Sequence, residues 1–594
     1  MKKMKAFLAA ITLLLCVSNV YAEEGSDYVA SIGSTLYETL DKAIENALDG
    51  DEIVLLKDAS TNGMYLNKSI TINGNNNNVV FNTYGIALWD NANLTFKNVN
   101  IEMTGIGATP YSEWNWMSIC GRSNASLNLI NTTMVMDGTN TASGTHAIYF
   151  TGNNKLELTN SKLTIKNYKQ DALEWNGGTS DYNVILNYST YESFNNRSGI
   201  TGTFNFKAID SNVFVNDSIG NGSNGTNFEF YNSKVKFNNN RSHGLSTSNL
   251  IVDNSTIEAN KNGGNGIHVN GLLNVTNNST ITILNNECAI SSKWSKPGSL
   301  LLTSNNEHNI DSTTTLTIKN NYGSGINLVK GSLYIEDEAN VTITDNTAYK
   351  LELGGGIYLA SNTSAYLGNK VSIYNNHAIT AGDDIYSLGS ITFPSTQEDW
   401  SLDNGENFDF TAKNDNSKYS YNKVECEEKI DGWYDDSEEN GRWLVHDKDE
   451  TKLHFVEFEG NETSELLSIK AAHALYSKVI AKYIDTEGNS LNDDIITRGK
   501  YREEYKTNFI DIENYKLVEI TGNPTGTYGT TDIEVVYVYE FVGGMGGEIV
   551  DLPVINTDNN IPITGVNDNY ITETIFAISI VSLFATCILR KKYN

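Results

Sequence analysis

The chain has 594 residues and a formal net charge of -30 at pH 7, with a pI of about 4.6. Nucleic acid is excluded as a natural partner because its phosphates are neutralised by Lys and Arg, whereas an acidic surface suits an exported, solvated protein. The chain contains only 6 prolines among many Asn, Thr, Ser and Tyr, which indicates strands and turns, and it is long enough for several domains.

The N-terminal segment reads as an export signal. Lys2, Lys3 and Lys5 precede the apolar run Ala6–Val17, and Val20-Tyr21-Ala22 supplies small residues for cleavage. A basic start, an apolar middle and a small-residue site in this order predict a secretory signal peptide over residues 1–22.

Residues 23–49 are predicted to cap the structure that follows. Tyr37–Leu48 carries apolar residues at helical spacing, and Asp49-Gly50-Asp51 ends the pattern before the strand-like Glu52–Leu56. A helix here would cover the edge and core that the first layer of a sheet structure leaves open to water.

The cysteines do not form a visible disulfide framework. Cys16 lies in the signal peptide and Cys587 in an apolar C-terminal run, which leaves Cys120, Cys288 and Cys426. These three are odd in number and far apart, so stability must come from a large core.

Residues 50–395 contain a repeat. The unit reads Asn/Ser, one residue, then alternating aliphatic and polar residues, then Asn-Asn, as in Asn232–Asn239. Its first apolar position returns every 22 residues at Tyr191, Val213, Val235 and Ile257, and then after 24 residues at Ile281. A fixed period in the range of about 20–50 residues predicts a solenoid.

Each unit holds three short alternating strands, for example Leu250–Val252, Thr256–Ala259 and Gly266–Val269. Alternation places one aliphatic row inside, and stacking of units buries that row continuously. Asn at the strand ends tolerates left-handed turns, and stacked Asn amides can form a ladder. The region resembles the right-handed, pectate-lyase-like parallel β-helix; an Asn-rich β-sandwich is the alternative.

The solenoid offers no catalytic, metal or cofactor residues that the sequence can assign. Asp383 and Asp384 are adjacent and would point to opposite faces, so we interpret them as ending the helix in a turn. His243, within Ser242-His243-Gly244, is interpreted as a turn residue. For Trp114, Trp116 and Trp175, two interpretations stay open: platforms for sugar rings, or packing of a loop on the solenoid.

Residues 396–477 are read as an acidic connecting region. Thr463–Leu475 is predicted to be a short amphipathic helix. His446, Asp447 and Asp449 have cation-binding chemistry, and a solvated charged turn is the alternative.

Residues 478–541 are predicted to be a separate small β-grasp-like module. Period-2 strands flank the turn Thr486–Asn489, and the candidate core residues are Tyr483, Leu491, Tyr515 and Val536. This succession resembles the MucBP (mucin-binding-protein) module of Gram-positive surface proteins. The resemblance implies contact with mucin or host glycans, although a single copy can also act as a spacer. Residues 542–560 form a Gly-rich linker.

The C-terminal residues 561–594 combine three features. The pentapeptide Ile561, Pro562, Ile563, Thr564, Gly565 precedes an apolar run at 571–589, which is long enough to span a bilayer. The basic cluster Arg590–Lys592 would hold the end in the cytoplasm.

This order resembles the LPxTG-like sorting signal of Gram-positive sortase substrates, with Ile561 in place of Leu, as in pilin-type variants. The resemblance implies cleavage between Thr564 and Gly565 and linkage of Thr564 to peptidoglycan. A plain membrane anchor is the alternative.

We therefore expect an all-β protein: a right-handed parallel β-helix followed by a small β-grasp-like MucBP module. The expected function is that of a cell-wall-anchored adhesin for mucin or host glycans, with sortase and peptidoglycan as partners and no cofactor. The alternative is a surface-attached polysaccharide lyase or glycoside hydrolase on the β-helix.

Overall fold

The computed structural model describes residues 27–111, 116–177, 182–287, 298–348, 353–392, 476–500, 504–528 and 532–543, together with the backbone of strands between 406 and 473. The chain divides into two compact units, Met1–Leu475 and Tyr476–Asn594. The predicted signal peptide and sorting signal lie outside the described residues.

The first unit is a parallel β-helix whose rungs contribute one strand to each of three faces. We call them the first, second and third face in chain order within a rung. Ser223–Tyr231 and Leu245–Asp253 run across the first and second faces without a break.

The remaining strands of the first face are short and pair in parallel with the rung above and below. They are Met64–Leu66, Ile86–Leu88, Met117–Gly121, His146–Thr151, Leu173–Asn176, Ile200–Gly202, Ile267–Val269, Gly298–Leu302, Ser324–Leu328, Ile357–Leu359 and Ile385–Ser387. Those of the second face are Glu52–Leu55, Ile70–Asn73, Asn93–Lys97, Ser126–Ile130, Lys155–Thr159, Val184–Asn187, Asn205–Ile209, Leu273–Thr276, Glu307–Ile310, Ser332–Ile335, Ser364–Tyr366 and Ser390–Thr392.

The third face is a sheet of its own, with thirteen strands among the described residues. They are Ala59–Thr61, Asn78–Phe81, Asn100–Thr104, Thr133–Asp137, Lys162–Lys166, Thr190–Phe194, Asn212–Asn216, Lys234–Asn238, Thr256–Glu258, Thr280–Leu284, Thr315–Lys319, Asn340–Thr344 and Val371–Tyr374. A two-stranded parallel pair, Thr347–Ala348 with His377–Ala378, lies beyond its last strands.

Strand register confirms the repeat that the sequence predicts. Tyr191 pairs with Val213, Val213 with Val235, Val235 with Ile257, and Ile257 with Ile281. Along each strand buried and partly exposed residues alternate, and the inward rows of all three faces form one continuous apolar core. The β-sandwich alternative is therefore excluded.

The N-terminal end of the solenoid is closed by a helix, as predicted, over Leu40–Asn46. Thr39 Oγ1 caps it by accepting a hydrogen bond from Lys42 N at 3.2 Å, and its buried face joins the solenoid core. A hairpin that the sequence pattern did not predict, Ala30–Ile32 with Thr35–Tyr37, precedes the helix, and its first strand pairs antiparallel with Glu52–Leu55.

The other end of the solenoid is covered by the connecting region. Its strands are Glu406–Asp409, Asn422–Glu425, Ile430–Asp435, Gly441–His446, Asp449–Phe455, Glu462–Thr463 and Leu467–His473.

The predicted helix Thr463–Leu475 is wrong, because Leu467–His473 is a strand that pairs antiparallel with Ile385–Ser387. The last rung leaves unpaired N–H and C=O groups along its edge. Pairing with that edge outweighs the weak local preference for a helix.

Two corners of the rungs are locked by stacked polar side chains. At one corner a residue with positive φ, such as Asn239 at 58°, is followed by a buried Asn. The backbone N and the Nδ2 of Asn240 both donate to Oδ1 of Asn262, at 3.0 Å each. The same paired contact links each member of this series to the next: Asn240, Asn262, Asn286, Asn321, Asn346 and Asn376.

The series ends where Asn376 Nδ2 donates to Asp384 Oδ1 at 2.9 Å. The predicted asparagine ladder is thus confirmed. In successive rungs the left-handed residue directly precedes the ladder residue, as with Asn239 before Asn240 and Asn285 before Asn286. Asp384 accepts the last amide of the ladder, so its role is structural.

At the second corner, hydroxyls replace amides. The backbone N of Ser211 donates to Ser233 Oγ at 3.2 Å, and Ser211 Oγ donates to the carbonyl of Ile209 at 2.6 Å. This arrangement joins the series Thr132, Ser161, Ser189, Ser211, Ser233, Ser255 and Ser279. Each hydroxyl satisfies a turn N–H that would otherwise be buried without a partner.

Replacing a ladder Asn should destabilise the solenoid strongly. Asn262→Ala leaves Asn240 N without its acceptor and removes the 2.8 Å hydrogen bond from Asn262 Nδ2 to the Phe237 carbonyl. Buried groups left unsatisfied in this way cost about 2–4 kcal/mol. Urea unfolding followed by circular dichroism measures the loss.

Asn274→Ala is the matched control, because Asn274 is a partly exposed strand residue one rung later. Its effect should stay within about 0.5 kcal/mol. Equal losses for the two variants would show that the ladder does not stabilise the rungs.

Candidate functional site

The C-terminal unit is a small β-sheet domain. Its four-stranded sheet has the spatial order Ser490–Lys500, Tyr476–Asp485, Ile533–Phe541, Tyr515–Thr521, and Glu504–Lys506 pairs separately with Thr525–Thr527. The two central strands of the sheet are parallel, and the outer strands are antiparallel to them.

The core of this domain is rich in tyrosine. It contains Val479, Ala481, Tyr483, Tyr505, Tyr528, Val535, Tyr537 and Tyr539. Of the predicted core residues, Tyr483 is buried, and Leu491 and Tyr515 pack against the core while partly exposed.

The prediction for Val536 is wrong. Val535 is fully buried, whereas Val536 is only partly buried and lies outside the core cluster. Because strand side chains alternate between faces, an error of one residue selects the opposite face.

Three core tyrosines hold the segment that follows Lys506. Tyr483 OH donates to the Asn508 carbonyl at 2.9 Å, and the Tyr537 hydroxyl lies 2.8 Å from Thr507 Oγ1. Tyr539 OH donates to the Ile510 carbonyl at 2.8 Å. Phe509, in the middle of this fixed segment, is 48% exposed, so the domain presents an aromatic ring to solvent on a well-supported loop.

The charge of the domain is unsuited to attraction of anionic glycans. Between Lys478 and Phe541 there are 7 Lys or Arg and 12 Asp or Glu. Contact with a sugar would therefore depend on hydrogen bonds and on stacking against rings such as Phe509.

The first face of the solenoid carries a second candidate surface. Outward positions in register on successive rungs are Tyr65, Ala87, Cys120, Tyr149 and Glu174. Beside this row, the rings of Trp89 and Tyr111 lie 4.6 Å apart, and those of Tyr65 and Tyr111 stack at 5.9 Å. Apolar and aromatic side chains thus cluster on the outside of the rungs.

The tryptophans of this region have different environments. Trp175 is fully buried between Phe150 at 4.9 Å and Phe204 at 5.3 Å, so it packs the core and is no sugar platform. Trp116 is 39% exposed and meets the rings of His146 and Tyr149 edge-on, at 5.3 Å each. Trp114 lies outside the described residues.

Next to Trp116 the fold assembles a polar cluster that the sequence analysis did not find. His146, Asp171 and Glu174 place one nitrogen and two carboxylate oxygens within 4.8 Å of one another. His146 and Asp171 are contributed by successive rungs, and rung lengths vary in this region, so no regular spacing marks them. Strand register in the folded structure brings them together: the Asp171 carbonyl accepts a hydrogen bond at 3.2 Å from the backbone N of Ala147, the residue next to His146.

The cluster favours an ionised Glu174. Burial raises the pKa of the Glu174 carboxyl, but the close contact with His146, with smaller effects of Asn176 and Asp171, outweighs burial, so that this pKa lies below the usual value. Nearby, burial raises the pKa of the Cys120 thiol to about 12, which makes this free cysteine a poor nucleophile.

The other residues considered from sequence have structural roles. His243 Nδ1 accepts a hydrogen bond from Asn265 N at 3.0 Å, and burial lowers its pKa, as suits a turn residue. Asp383 Oδ1 accepts from Ala378 N at 2.8 Å and lies 3.2 Å from His377 Nδ1.

The sorting residues Ile561, Pro562, Ile563, Thr564 and Gly565 lie outside the described residues, as does the apolar run at 571–589. In the part of the chain that the structure describes, no helix is long and apolar enough to cross a membrane. The side chains of His446, Asp447 and Asp449 are likewise not described.

Comparison with known proteins links the C-terminal domain to a family. No curated protein matches the chain. Among solved structures, the crystal structures of the periplasmic alginate epimerase AlgG and of a mutant of it are each 10% identical to this chain and cover 56% of this chain and 81% of that chain. Their TM-scores are 0.21 and 0.20, which carry no inference about activity. Residues 478–540 match the MucBP domain family.

Proposed function

We propose that the protein is a bacterial surface adhesin that contacts mucin or host glycans through its C-terminal domain. The observation that carries the proposal is the match of residues 478–540 to the MucBP domain. The sheet has a core separate from that of the solenoid and belongs to a separate compact unit, which is consistent with a transferable binding module.

Within this domain Phe509 is the proposed contact residue. Its ring is exposed while the backbone on both sides of it is fixed by tyrosine hydroxyls. A ring held in this way loses little conformational entropy when a sugar stacks on it.

The β-helix is proposed to act as a stalk. Each rung advances about 4.8 Å along the axis, so the thirteen strands of the third face extend over roughly 60 Å. Ladders at two corners and a continuous core make this unit suited to bearing a load as a rod.

Attachment to the cell wall is the part of the proposal that rests on the sequence. A sorting signal at Ile561–Gly565, an apolar run and a basic end would let sortase link Thr564 to peptidoglycan, after export directed by residues 1–22.

A surface polysaccharide lyase or glycoside hydrolase is the second candidate function. The observation that favours it is the cluster of His146 with two carboxylates beside the exposed ring of Trp116. Paired carboxylates are the groups that glycoside hydrolysis uses.

Mucin binding should be located in the C-terminal domain. A fragment of residues 476–543 should retain the mucin affinity of the secreted chain, and a fragment of residues 23–475 should lose it. Phe509→Ala should weaken binding about five- to tenfold, as expected for loss of an aromatic contact, and Val518→Ala, at an equally exposed position, should not. Surface plasmon resonance on immobilised mucin measures these affinities.

Added salt should leave the affinity unchanged, because the acidic domain does not bind by charge attraction. Mucin binding by the solenoid fragment alone would place the glycan site on the β-helix. Release of reducing ends or unsaturated sugars from a glycan panel would favour the enzyme instead.

Anchoring should depend on Thr564. Thr564→Ala should move the protein from the wall fraction released by muramidase to the membrane or the medium, because no acyl donor for peptidoglycan would form. Quantitative immunoblotting of the fractions in a sortase-positive Gram-positive host checks this. Equal recovery of wild type and variant from the wall fraction would contradict the sorting signal.

A further inference from the structure

We propose that His146, Asp171 and Glu174 form a binding site for a divalent transition metal ion of the Zn²⁺ class. The site lies on the first face of the β-helix, far in sequence from the MucBP domain, and is independent of the adhesin proposal.

The donor atoms are already close to coordination distance. Ligand atoms that share one tetrahedral zinc at about 2.1 Å each lie about 3.4 Å apart, and those of the three side chains lie within 4.8 Å of one another. His146 Nδ1 and Glu174 Oε2 are only 2.8 Å apart. Side-chain shifts of up to about 1 Å, which close the wider separations and open the 2.8 Å contact, would complete the set.

Two of the three side chains are buried, and in each the atom that would bind the metal has no hydrogen-bond partner among the described residues. Asp171 is 8% exposed, and its Oδ1 has no hydrogen-bond partner among the described residues. His146 is 9% exposed, and its Nδ1 approaches Glu174 without the alignment of a hydrogen bond. An unsatisfied buried carboxylate is costly, and a bound cation would remove that cost.

Neighbouring groups orient the ligands as supports of metal sites do. Asn176 Nδ2 donates to Glu174 Oε1 at 3.4 Å, which leaves Oε2 facing His146. The same Nδ2 donates to Tyr149 OH at 2.6 Å. The backbone N of His146 donates to the Trp116 carbonyl at 3.0 Å, so three rungs fix the cluster.

The ligand types indicate which ion is favoured. One imidazole with two carboxylates suits Zn²⁺ and similar ions, whereas Ca²⁺ prefers six to eight oxygens. Three protein ligands leave a tetrahedral position for water or for an oxygen of another molecule. Trp116, whose ring contacts that of His146, is 39% exposed, so the cluster lies close to the protein surface.

The test uses the secreted full chain, freed of metal with a chelator, and ZnCl₂ as the probe. Isothermal titration calorimetry and elemental analysis after gel filtration should show a zinc site that is weakened at least tenfold by Asp171→Asn and by Glu174→Gln. Glu157→Gln, at a partly exposed carboxylate on the second face, should bind zinc as the wild type does. Ca²⁺ at the same concentration should not compete.

Melting temperatures separate a metal site from a merely structural ion pair. Without metal, Asp171→Asn should melt at or above the wild-type temperature, because it replaces a buried carboxylate whose Oδ1 has no hydrogen-bond partner among the described residues. With ZnCl₂ the order should reverse, since ligand binding stabilises only the protein that binds. Failure of the wild type to bind zinc, binding that all three variants retain, or a lower melting temperature of metal-free Asp171→Asn would each overturn the proposal.

Discussion

The solenoid depends on the way polar side chains satisfy the turns between its strands. A rung turns sharply at each corner, and every sharp turn leaves backbone N–H groups without a sheet partner. In this chain a left-handed residue makes the turn, and the buried Asn or Ser after it accepts the orphaned N–H of the rung before. Asn240 and Asn262 illustrate the pattern, with both donors of one residue meeting one oxygen of the next at 3.0 Å. Rungs that differ in loop length therefore still stack in one register.

Because rungs of unequal length can stack in one register, the solenoid can include the longer rungs that carry the His146 cluster. Where the rungs keep one constant length, outward positions include simple polar pairs, such as Lys236 with Glu258 at 2.7 Å. Where loops lengthen the rungs, between residues 86 and 176, the first face gains Trp116, Tyr149 and the His146 cluster. The fixed core supplies the rigid support: His146 and Glu174 lie on first-face strands, and only Asp171 lies in a connecting segment, just before Leu173–Asn176. The C-terminal domain uses a different device, in which tyrosine hydroxyls secure an exposed loop.

The period of the repeat and the alternation of apolar and polar residues predict most of the fold, because the same packing requirement applies to each inward position in every rung. The regular return of the repeat, the inward row through Ile257 and the asparagine ladder were all visible in the sequence. Local sequence patterns failed to predict secondary structure where pairing with a distant strand determines it: Leu467–His473 is a strand because it pairs with the exposed edge of the last rung. Val536 was misplaced because alternation alone does not say which face of an isolated strand is buried. The His146 cluster was missed because its members come together only through a register set by rungs of unequal length.

Amide hydrogen exchange of the secreted chain, resolved by residue, tests most directly whether side-chain ladders hold the rungs together. Turn amides ordinarily exchange quickly, because few structural hydrogen bonds protect them. Here the backbone amides of Asn240, Asn262, Asn286 and Asn321 donate to buried side-chain oxygens of the following rung. If the ladders hold the rungs together, these corner amides should exchange as slowly as those at the centres of the third-face strands. Exchange at the rate of exposed turns, with the strands protected, would show that the strands stack without the ladders.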